Sequence, residues 1–192
     1  MPETAKEFQN RLTPLLSEYF ATFNGTPVRK EWRAFEDVTP SQYSPRTDIA
    51  VGPFATGELR LEPAYDELAR RSREKLQFLL RCFRENIRGR GLAAPNNLTA
   101  LNHYNPNARC FIAIEIEKSG SMKHRLGDIV NATALGRVGI IVPMETGIME
   151  SFFRITRYFD MLGLVGKPTF STRNLLIVTK EQILSTFQTR DG

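Results

Sequence analysis

Apolar positions in this chain recur with two periods in turn, and that alternation predicts helices and strands one after another. Phe8, Leu12, Leu15, Leu16, Tyr19 and Phe23 fall at three- and four-residue spacings, predicting a helix over residues 4–23. Asn24-Gly25 stops it and Pro27 follows. Strands are predicted over residues 31–38, around Trp32, Ala34 and Phe35, and over residues 47–53, which end on Gly52-Pro53. Residues 40–45 between them, with a proline at each end, read as a turn or loop. One long amphipathic helix is predicted over residues 62–88, with Leu68, Leu76, Leu79, Leu80 and Phe83 as its stripe. A polar loop over 93–106 leads into Cys110-Phe111-Ile112-Ala113-Ile114, an apolar run that reads as a buried strand. Ser121 is a plausible N-cap for a helix over 121–135, with Met122, Leu126, Ile129 and Val130 inward. A strand over 137–143, a helix over 147–162, a strand over 174–178 and a helix over 180–186 complete the chain. No repeat or linker divides it, so residues 1–192 read as a single domain of α/β layer architecture.

The buried run at 110–114 ends in Glu115-Ile116-Glu117-Lys118. Alternate strand residues share a face, so Glu115 and Glu117 project together. Two carboxylates at the end of a core strand repel each other and lose hydration, which a cation between them relieves. A metal site is therefore the first expectation, and a surface ion network with Arg109, Lys123 or Arg125 is the plainer one.

Composition narrows the field. At 41% hydrophobic and 24% charged, the chain is ordinary for a globular protein. The +5 net charge permits a phosphate-bearing partner without demanding one. Nine Lys and Arg against five Asp and Glu in residues 60–90 place nearly all the excess charge in one segment. Cys82 and Cys110 read as reduced core thiols, so no disulfide framework is expected and a cytoplasmic location follows. No run approaches the roughly 20 apolar residues of a membrane span, and no secretory signal is visible. Cys82, Cys110, His103 and His124 lack zinc-finger spacing. Walker and Rossmann glycine patterns and serine or cysteine nucleophile motifs are missing from the sequence.

Asp48 also sits in a short apolar strand, three residues after Pro45. Pro45-x-x-Asp48, a long gap, Glu115-x-Glu117 and then a helix resemble the PD-(D/E)xK nuclease superfamily. The resemblance covers about residues 4–143, with 59–105 as a helical and loop insertion. It implies a restriction-endonuclease-like three-layer α/β/α core around a mixed central sheet. It also implies roles: Asp48 and Glu115 as metal ligands, with the carbonyl of Ile116 as a third. Glu117 stands where the family usually carries lysine. Lys123 or Lys118 would then assist the attacking water, and Glu117 would hold a second ion or act as general base. Glu18 on the first helix would be an accessory acid. Hard oxygen ligands select Mg²⁺ or Mn²⁺.

His124, Asp128 and Asn131 form one polar line on the following helix, facing either the site or solvent. Arg70, Arg71, Arg81, Arg84, Arg88 and Arg90 offer phosphate contacts; a solvated helix face explains them equally. The expectation is a Mg²⁺-dependent DNA endonuclease, a homodimer if it cuts both strands at symmetry-related sites. The alternatives are a catalytically impaired nucleic-acid-binding or regulatory module on the same fold, and an RNA or nucleotide phosphodiesterase.

Overall fold

The structure is a computed structural model and describes residues 2–35, 44–56, 59–167 and 171–188. It is an α/β fold in which a mixed five-stranded sheet carries seven helices among the described residues. Strands β1 (Val28–Arg33), β2 (Arg46–Val51), β3 (Cys110–Glu117), β4 (Gly136–Pro143) and β5 (Leu175–Ile177) lie side by side in chain order. The β1–β2 and β2–β3 pairs are antiparallel, and β3–β4 and β4–β5 are parallel. Parallel neighbours need a crossover long enough to return the chain to the same end of the sheet. Helices α5 (Met122–Leu135) and α6 (Thr146–Leu164) supply the two crossovers.

Helix α1 (Ala5–Ala21) begins in a capping box between Thr4 and Glu7. Its residues Phe8, Leu12, Leu16 and Phe20 enter the main core with Ile112, Ile114 and Ile116 of β3. Ala113, on the other face of β3, and Cys110 at the strand start belong to a smaller cluster with Trp32, Ala50 and Leu135. Every β3 and β4 residue is buried, as expected of central strands covered on both faces. Helix α5 approaches β4 closely at Gly139, where a Cβ would lie 2.8 Å from the Ala132 carbonyl. Only glycine admits that backbone-to-backbone contact.

Three sequence expectations change. The segment over 62–88 is two helices, α2 (Glu62–Arg71) and α3 (Arg73–Asn86). At the junction the buried Ser72 hydroxyl turns back onto the Leu68 carbonyl at 2.6 Å, beside the main-chain bond from its own N–H, a bond of the kind that bends helices. The polar loop over 93–106 contains α4 (Leu98–His103), capped by Asn97, whose Oδ1 accepts the Ala100 N–H at 2.8 Å. The first strand begins at Val28 and ends at Arg33 rather than covering 31–38, and residues 36–43 lie outside those described. The last helix, α7 (Lys180–Phe187), starts at Lys180 as expected, behind a capping box between Thr179 and Gln182. No helix among the described residues is long and apolar enough to cross a membrane.

Candidate functional site

The β2–β3 register pairs Val51 with Ile112, Ala50 with Ala113 and Ile49 with Ile114, which brings Asp48 beside Glu115. Directly opposed residues in an antiparallel pair share a face. Asp48 Oδ2 accepts the Ile116 N–H at 2.7 Å, and the Asp48 N–H donates to Glu115 Oε2 at 3.3 Å. Two carboxylates separated by 66 residues of chain are thereby locked together by main-chain bonds. From the opposite side, Gln9 Nε2 of α1 donates to the Asp48 carbonyl at 2.6 Å.

Glu117 continues the same face of β3. Its Oε1 accepts the Gly120 N–H, and a Cβ at Gly120 would come within 2.9 Å of both its carboxylate oxygens. Ser121 caps α5 by accepting the His124 N–H at 3.3 Å, which fixes the first turn of that helix over the strand end. His124 Nε2 then stands 3.9 Å from Glu117 Oε2 and 3.9 Å from Asp128 Oδ1. One ligand atom from each of Glu117, His124 and Asp128 lies within 4.8 Å of the others. These residues, Asp48, Glu115, Ile116 and Asn131 line one cleft of about 560 Å³. Arg33 of β1, Arg46 of β2 and Ser44, just ahead of β2, complete its lining; the two arginines are exposed and form its rim.

The electrostatics follow from burial. Glu115 and Glu117 are each 5% exposed and Asp128 8%. Burial, reinforced by the charges of Asp48 and Asp128, holds the Glu115 carboxyl well above the ordinary carboxylate range. Asp48 is raised by burial, against the opposing bond from Ile116. Burial and then the charges of Glu117 and Asp48 push Asp128 up to about 8. Glu115 Oε1 and Asp128 Oδ2 are buried with no hydrogen-bond partner among the described residues. Unpaired buried carboxylate oxygens are costly, and protonation or a cation would relieve that cost at these two.

The remaining sequence-derived candidates lie elsewhere. Lys118 Nζ donates to the Glu3 carbonyl at 2.9 Å, and Lys123 lines a separate apolar hollow with Met122, Leu126 and Tyr158. Glu18 lines a hollow between α1 and α7 beside Tyr19 and Phe187. None of the six arginines named from 70 to 90 lines the cleft. Arg70 pairs with Glu67 at 2.7 Å, and Arg71 donates to the Thr22 carbonyl and covers the Phe23 ring. Arg81 lies over Phe78, and Arg84 donates to the carbonyls of Pro95 and Asn96. Arg90 bonds the Asn86 carbonyl and pairs with Glu150, while Arg88 is exposed.

Sequence reasoning missed Gln9, Glu31 and the two rim arginines. Gln9 interrupts the apolar stripe of α1 and is 2% exposed, which is the signal that it serves a buried partner. Glu31 lies across the ladder from Asp48, between the paired positions Lys30–Ile49 and Trp32–Thr47. Its φ of 51° is in the left-handed region, a strained conformation for a side chain with a Cβ. Gln9, Lys6 and Arg46 hold its carboxylate at 3.1, 3.3 and 3.2 Å. No family model, curated protein or solved structure matches this chain.

Proposed function

We propose that this chain is a divalent-metal-dependent endonuclease that hydrolyses DNA phosphodiester bonds on a restriction-endonuclease-like α/β/α core of the PD-(D/E)xK type. The observation that carries the reading is the convergence of Asp48, Glu115, Glu117 and Asp128 on one cleft, with two of their buried oxygens unpartnered among the described residues. The order of elements agrees with it: a helix, a hairpin bearing Asp48, a strand bearing Glu115 and Glu117, a crossover helix and a parallel strand.

The donor set fits Mg²⁺ or Mn²⁺, being carboxylate oxygens with a single imidazole at the edge. Asp48 and Glu115, with the Ile116 carbonyl, would hold the ion that the family resemblance implies; Glu117, Asp128 and His124 would hold or border a second. A bound divalent ion offsets the negative charge of the phosphodiester and acidifies a water molecule. The chain's own contribution is orientation. Main-chain donors at Ile116 and Gly120 fix Asp48 and Glu117, so neither carboxylate needs to reorganise during reaction. His124, exposed at the cleft beside Glu117 and Asp128, is the group placed to carry a proton between the site and solvent.

One observation favours the second reading, a nucleic-acid-binding module with impaired chemistry. Neither Lys118 nor Lys123 is among the residues lining the cleft. Supercoiled plasmid incubated with a Mg²⁺, Mn²⁺ and Ca²⁺ panel separates the two. Nicked or linear product with Mg²⁺ or Mn²⁺, lost in Asp48→Asn and Glu115→Gln, is expected. DNA binding without cutting under every ion would favour the second reading, and preferential cleavage of RNA would favour a ribonuclease.

A further inference from the structure

We propose that Arg33 and Arg46 clamp a backbone phosphate of bound DNA at the rim of the acid cleft; this rests on the nuclease reading above. The two residues are direct register partners across the β1–β2 pair. Opposed residues leave an antiparallel pair on the same face, close together, and both of these line the cleft. Like charges directly opposite each other destabilise a sheet, and both arginines are exposed.

The Arg46 charge acts on Asp48 from a distance, but the acids below do not bind either guanidinium directly. Among the described residues, neither arginine forms an ion pair with Asp48, Glu115, Glu117 or Asp128. Arg46 is held instead by Glu31, through Nε at 3.2 Å, and Glu31 shares its carboxylate with Lys6 and Gln9. The Arg46 carbonyl accepts Asn131 Nδ2 at 3.2 Å, so its backbone is tied to α5 as well. The Arg33 guanidinium, by contrast, makes no side-chain hydrogen bond or ion pair among the described residues, its main chain being paired with Arg46. The result is one guanidinium oriented by Glu31 and one with no partner among the described residues, on opposed positions lining the same acidic cleft. A planar guanidinium presents paired donors that match the oxygens of a phosphate. A cation on the floor and arginines on the rim would grip one phosphodiester from two sides, with Arg33 setting the strand's path and Arg46 fixing its depth.

The test measures duplex DNA binding by fluorescence anisotropy across a salt series, with Ca²⁺ in place of Mg²⁺ and again in EDTA. Wild type, Arg33→Gln and Arg33→Lys are compared, and each is titrated separately with Mn²⁺ by calorimetry. A lost phosphate contact lowers the slope of log affinity against log salt by about 0.9. Arg33→Gln should show that decrease and bind several-fold more weakly, Arg33→Lys should recover the slope, and the Mn²⁺ heat should be unchanged in both. Equal slopes for wild type and Arg33→Gln, or no duplex binding by wild type, overturn the clamp. A slope difference with no Mn²⁺ heat in wild type supports the clamp while removing the metal reading on which the nuclease proposal stands.

Discussion

The Asp48 side chain bonds the Ile116 amide at 2.7 Å, so a carboxylate extends the β2–β3 ladder beyond its last main-chain pair, Ile49–Ile114. One acidic side chain thus does two things. It satisfies a buried N–H, and it delivers a charge next to Glu115. Substitutions at the cleft should therefore separate into those that remove charge and those that break the ladder.

Asp48→Asn keeps an acceptor for the Ile116 amide and removes the charge, whereas Asp48→Ala removes both. Both should abolish Mn²⁺ heat in calorimetry. Only Asp48→Ala should lose stability, by about 1–3 kcal/mol for an orphaned buried donor. Equal melting temperatures for the two variants would contradict the ladder role.

Glu115→Gln removes a nearly buried carboxylate that two neighbouring acids already oppose. In EDTA at neutral pH its Tm should rise, by roughly 2–4 °C for each kcal/mol recovered in a chain of this size. The same variant should lose cation binding. Thermal melts with and without Mn²⁺ check both halves, and a fall in Tm without metal would count against mutual repulsion in the cleft.

The pH dependence has a definite sign. Asp128 is raised from 3.8 to about 8 in the folded chain, so between those values the folded state binds more protons than the unfolded state. The Asp128 contribution to metal-free stability should then fall as pH rises from about 4 to about 8, and level off above. Asp48 and Glu115, both raised, act in the same direction. Denaturant melts in EDTA at pH 5 and pH 8 should show the loss, and Asp128→Asn should reduce it. Saturating Mn²⁺ should reverse it, because the cation favours the ionised acids.

Gly120→Ala places a methyl where the Glu117 carboxylate now sits, within 2.9 Å of its oxygens and of the His124 ring. Both neighbours are side-chain ends that can swing aside. Cation affinity should drop several-fold, with Tm changed by no more than about 2 °C. A variant that unfolds would show that Gly120 serves the backbone rather than the site.

Arg84 donates to two consecutive carbonyls, of Pro95 and Asn96, ahead of the α4 cap. Arg84→Ala should cost about 1 kcal/mol of stability. Its DNA salt slope should match wild type. A reduced slope would return α3 to the DNA-contacting surface.

Periodicity alone placed most helices and strands, because burying an apolar stripe or run is a local constraint that each segment carries in itself. The pairing of Glu115 with Glu117 was likewise legible, since strand alternation is a local rule. Short or interrupted elements were not. Six residues of α4 hold too few apolar positions to show a period, and the apolar stripe runs on past Ser72, where α2 gives way to α3.

What the tertiary structure alone decided is which distant groups meet. That Gln9 rather than Glu18 of α1 reaches Asp48 depends on how the helix is rolled against the sheet. That Arg33 and Arg46 oppose each other at the cleft depends on strand register. Register and roll are set by summed packing over the whole core, a non-local quantity that no window of sequence contains.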